Sequence, residues 1–61
     1  MTSILREQLQ QERKLLEKYR EYATRILKGT PPSDYRDELV ERVKNIDAAI
    51  ASIDEALARE P

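Results

Sequence analysis

The single glycine and two of the three prolines of this 61-residue sequence fall within four consecutive positions, Gly29-Thr30-Pro31-Pro32. Neither proline can continue a helix, because each lacks a backbone N–H and biases the residue before it away from the helical region. On both sides of this breaker the chain is helix-permissive throughout. Positions 2–28 are largely Leu, Arg, Glu, Gln and Lys, all strong helix formers, and positions 33–60 contain neither Gly nor Pro. The sequence predicts one helix over about residues 3–28, a turn at 29–32 and a second helix over about 33–60, together a single domain spanning 1–61. Lys28 followed by Gly29 is a usual helix ending, a cation near the negative end and then a residue that tolerates a left-handed backbone. Thr2 or Ser3 suits the first N-cap. Ser33 suits the second, with Asp34, Asp37 and Glu38 in the first turns, and Thr30 capping a helix that begins at Pro31 is the alternative. So short a connection lays the helices antiparallel and adjacent. The expected fold class is therefore all-α, an antiparallel two-helix hairpin of coiled-coil type.

Apolar spacing defines the expected seam between the helices. In the second helix Leu39, Val43, Ile46, Ile50, Ile53 and Leu57 alternate four and three apart, the spacing that keeps one stripe facing a partner helix. In the first, Leu5, Leu9, Leu16, Tyr19, Ala23 and Ile26 follow the same rhythm, interrupted only by Glu12. Counting back from the turn pairs Ala23 with Leu39, Tyr19 with Val43, Leu16 with Ile46, Leu9 with Ile53 and Leu5 with Leu57. Glu12 then falls opposite Ile50, either as a register-setting polar layer or with its carboxylate led out to solvent or to a nearby cation.

Charge supports the same pairing. Up to Lys28 there are seven Lys and Arg against four Glu, and from Ser33 onward four against eight Asp and Glu, so the two helices attract. Arg6, Arg13 and Arg20 recur every seven residues beside the first seam, as Asp47 and Asp54 do beside the second. The register above brings Arg13 near Asp47 and Arg6 near Asp54, give or take a turn. Exposed pairs of this kind are worth roughly 0.2 to 1 kcal/mol, enough to select an orientation but not to hold a fold.

Two helices touching along one line enclose no interior, and a domain this small ordinarily needs a disulfide, a metal or a partner subunit. Cysteine and histidine are both absent, which excludes disulfides, thiolate chemistry and the ordinary zinc, haem and iron-sulfur sites. Self-association is the staple that remains. Apolar residues left over beside the seams, Ile4, Leu15, Tyr22 and Leu27 on the first helix and Val40, Ala49 and Ala56 on the second, supply a face for it. The expectation is a homodimer forming an antiparallel four-helix bundle, related by a twofold axis.

For function, the composition excludes more than it selects. Without His or Cys, and with no Ser, Lys or Tyr beside a base and an orienting group, catalysis is not expected. No cofactor, metal or small-molecule substrate is expected either: Asp37 and Glu41 share a helical face, but no calcium-loop pattern surrounds them. The glutamines at 8, 10 and 11 read as a solvated helix face. A net charge of −1 gives no global pull toward nucleic acid or an anionic membrane. There is no basic-then-apolar leader and no run of about eighteen apolar residues, which reads as a cytoplasmic protein without a membrane partner. The primary expectation is a small interaction, assembly or regulatory module of the kind common among bacterial and phage accessory proteins, partnered by itself and by another protein. The alternative is an RNA- or DNA-binding helical dimer using a basic face of the first helix, Arg6, Arg13, Lys14, Lys18, Arg20 and Arg25. Tyr19, Tyr22 and Tyr35, expected to gather near the turn with Arg20, Arg25, Lys28 and Arg36, could then stack bases.

Overall fold

The computed structural model of the chain describes residues 4–59. They form two antiparallel helices of equal length, α1 over Ile4–Gly29 and α2 over Asp34–Arg59, packed against each other, with no strand among the described residues. The hairpin measures 48 × 15 × 11 Å. The N-cap expected at Thr2 or Ser3 lies outside the described residues.

The turn is held by side chains. No residue in the described region, Gly29 included, has a positive φ, so α1 does not end through a left-handed glycine. It runs through Gly29, and its last carbonyls are met in another way. The Thr30 hydroxyl donates to the Ile26 carbonyl at 2.6 Å and the Thr30 N–H to Leu27 at 3.2 Å. From across the turn, Arg36 Nη1 donates to the carbonyls of both Leu27 and Thr30, at 3.0 and 2.9 Å. These carbonyls lack intrahelical partners, and a cation placed against them also suits the negative end of the helix. At the start of α2 Ser33 is the cap: its hydroxyl oxygen accepts from the Arg36 N–H at 3.2 Å, and Asp37 N–H bonds to its carbonyl. Capping by Thr30 of a helix begun at Pro31 does not occur.

Burial runs along a narrow line. Only Ala23, Leu39 and Ile53 are buried among the described residues, Leu39 most deeply at 4% exposure. On α2 the half-buried Val43, Ile46, Ile50 and Leu57 complete the stripe read from the sequence. On α1 the stripe is rotated from the expected one. Leu9, Leu16 and Ala23 face α2, but Leu5 and Tyr19 are 53% and 54% exposed, and Glu12 is exposed as well. Arg6 and Arg13 are half-buried instead, and Leu27 continues their seven-residue rhythm near the turn. Ile26 is half-buried too. Residues three before and four before a seam leucine both neighbour it on a helix, so the spacing alone admits either row. Arg6 and Arg13 flank this seam because a long arginine stem covers apolar surface, and the guanidinium groups of Arg13 and the more exposed Arg20 reach carboxylates on α2.

Candidate interaction surface

The seam has two unlike edges. Along the first, Arg13 donates from Nε to Asp54 Oδ1 at 2.6 Å, with Nη2 at 3.4 Å from Oδ2, and Arg20 Nε donates to Asp47 Oδ1 at 2.5 Å. Glu17, one turn along α1, completes a small network by pairing with Arg13. The Arg13 hydrogen bond, and then its charge, hold the Asp54 carboxyl below its ordinary value, and the carboxylate raises Arg13 in return.

These partners differ from the expected Arg13 with Asp47 and Arg6 with Asp54. Arg13 engages the aspartate one heptad further along α2 than expected, and Asp47 is taken by Arg20 instead. Side chains on a helix lean toward its N-terminus by about a turn. Arg13 therefore reaches back to the level of Leu9, expected opposite Ile53, and Asp54 stands next to Ile53 in the sequence. Arg20 reaches Asp47, next to Ile46, in the same way.

The second edge is apolar. Tyr19 and Tyr22 stand on the flank of the α1 seam opposite Arg13 and Arg20, and Leu15 shares that side. All three are about half exposed or more, as is Ile4 at 74%. Facing them on α2 are Ile46 and, further along, the half-buried Ala49 and Ala56. Between the helices here lies an open cleft of about 340 Å³ lined by Tyr19, Tyr22, Arg42, Asn45 and Ile46. A second depression, on α1, is lined by Gln8, Gln11, Glu12 and Leu15.

Of the leftover apolar residues singled out from the sequence, Ile4, Leu15, Tyr22, Ala49 and Ala56 thus share one edge. Leu27 and Val40 do not join them. Leu27 lies in line with the seam, and Val40, seven residues before Asp47, belongs to the ion-paired side. Arg42 and Asn45 were not anticipated in the cleft; their positions seven and four residues before Ala49 were the available signal.

The basic residues of α1 do not form one open face. Arg13 and Arg20 are matched by carboxylates of α2, Arg25 lies 3.7 Å from Glu21, and Arg6 is half-buried, leaving Lys14 and Lys18 as exposed lysines. Arg25, Lys18 and Tyr22 border one shallow depression, but Glu21 lines it too. Tyr35 is 53% exposed and does not line the cleft of the other two tyrosines, and Arg36 is turned into the carbonyls of the turn. Among the described residues no three acidic side chains converge as metal ligands would, and no helix is long and apolar enough to cross a membrane.

Comparison with protein-family models gives no match, and neither the search of curated proteins nor that of solved structures returns a similar chain.

Proposed function

We propose that this chain is a small, non-enzymatic interaction and assembly module that works in the cytoplasm as a homodimeric four-helix bundle. Its outer faces engage another protein in an adaptor or regulatory role. The observation that carries this reading is surface left over after folding. The chain exposes 5023 Å², whereas a compact monomer of 7.1 kDa exposes about 4,100 Å². Its radius of gyration of 14.3 Å exceeds the roughly 10.5 Å of a compact domain of this length. The excess of roughly 900 Å² is close to the share one partner contributes to a stable interface of ordinary size. The same surface carries an edge where isoleucine, leucine and tyrosine side chains stand half in water, and a contiguous apolar group rimmed by polar residues is the usual mark of an interaction site.

The nucleic-acid reading has less support, because the charges of Arg13 and Arg20 are already matched within the hairpin. Binding to RNA or DNA that weakens steeply with added salt would restore it. The assembly reading is tested by solution mass from light scattering across a dilution series, with helicity followed on the same samples. A mass of twice the chain with high helicity is expected. A helical monomer at every concentration would sink self-association and make the apolar edge a site for a different protein.

A further inference from the structure

On α1 a second stripe runs beside the seam: Ile4, Gln8, Glu12, Leu15, Tyr19, Tyr22 and Ile26, spaced by fours and threes. Its apolar members from Ile4 to Tyr22 are the exposed edge already described, Ile26 at the turn end is half-buried, and its polar members sit together at Gln8 and Glu12. The stripe is close to self-complementary when reversed about Leu15. An antiparallel copy would lay Ile4 at the level of Ile26, Gln8 at Tyr22, Glu12 at Tyr19 and Leu15 on Leu15. A parallel copy would set Glu12 against Glu12 and Gln8 against Gln8, facing two carboxylates across a desolvated contact.

We infer that the second copy covers this stripe, α1 against α1, antiparallel, with the twofold axis beside Leu15. The inference rests on the self-association proposed above and specifies its face and direction. Most of the large exposed apolar side chains stand on α1, from Ile4 to Tyr22, so a twofold contact that covers them is centred on that helix. In this arrangement the tyrosines of each copy lie over the depression lined by Gln8, Gln11, Glu12 and Leu15 of the other. The phenol hydroxyls then meet an amide and a carboxylate, the partners a buried tyrosine needs. The stripe lies about a quarter-turn from the seam, the angle at which a helix meets two neighbours in a four-helix bundle. Arg13, Arg20, Asp47 and Asp54 remain on the solvent edge.

The absence of native cysteine makes single-cysteine bridging a clean test. Leu15→Cys, Gln8→Cys and Glu17→Cys are each oxidised at a concentration where light scattering gives the mass, and analysed without reductant. Positions beside the axis come within the roughly 4.4 to 6.8 Å between Cα atoms that a disulfide spans. Leu15→Cys is expected to bridge as the main product and the other two to stay unbridged, while a mixture of Gln8→Cys with Tyr22→Cys bridges as a heterodimer. Self-bridging of Gln8→Cys would mean a parallel dimer and overturn the inference. A dimer that bridges through Glu17→Cys, or that leaves Leu15→Cys unbridged, would place the contact elsewhere and overturn it while leaving self-association standing. A monomeric mass would remove both together.

Discussion

Arg36 does the work at the turn that its sequence context assigned to glycine. Its guanidinium satisfies two carbonyls at once, from a position nine residues beyond one and six beyond the other. Both bonds come from Nη1, and the lysine amine ends one bond short of that atom, so Arg36→Lys is expected to lose most of what Arg36→Ala loses, about 1.5 kcal/mol, read as a lowered urea midpoint. A lysine variant as stable as the wild type would show that charge at the helix end suffices. The Asp54 carboxyl offers a test by pH. Its folded value lies below the ordinary 3.8, so its contribution is present above that value and is lost as the pH falls through the folded one. Thermal unfolding of wild type and Asp54→Asn should therefore differ by a constant amount from neutral pH down to about pH 5 and converge in more acid solution. A difference that stayed constant to pH 2 would mean that the Arg13 pair contributes nothing through ionisation. Ser33 was legible as a cap because the capping interaction is local and its residue type is selective. Arg36 was not, since an arginine near a turn resembles any solvated arginine until the carbonyls it meets are placed.

The α2 stripe was the most legible element, because every member of its four-three series is Leu, Ile or Val and no other row competes. Leu39, at 4% exposure beside the turn, is its anchor. Leu39→Ala is expected to cost about 2 to 5 kcal/mol, enough to abolish most of the helical signal in a hairpin with so few buried side chains. Retention of full helicity would mean that the seam tolerates a cavity where it is best packed. On α1 only half of the seam was legible. Leu9, Leu16 and Ala23 recur every seven residues and identify themselves. Their companions stood in either of two rows, Leu5, Glu12 and Tyr19 or Arg6, Arg13 and Arg20, and an apolar preference chose the first. Two facts favour the second: an arginine stem covers apolar surface as a leucine does, and Asp47 and Asp54 recur on α2 with the same seven-residue period. The row that lost its place in the seam reappears, with Leu15 and Tyr22, as the exposed edge.

At the scale of the whole molecule, a hairpin with three buried side chains among its described residues and an apolar edge open to water has little of its own to hold it folded. If a second copy supplies the missing contact, folding and association are one event, and apparent stability rises with concentration. Each tenfold increase in protein then adds about 1.4 kcal/mol, so the melting temperature followed by circular dichroism should climb steadily from micromolar to millimolar samples. Leu15→Asp places a carboxylate beside the proposed axis, where two copies would bring like charges together. It should lower the melting temperature of dilute samples and flatten its dependence on concentration. Asp is a poorer helix former than Leu, so Gln10→Asp at an exposed position on the opposite side serves as the control for that smaller effect. In the wild type, a melting temperature independent of concentration would separate folding from association. The hairpin would then stand by itself as a two-helix unit, with the Tyr19 and Tyr22 cleft open to a partner other than its own copy.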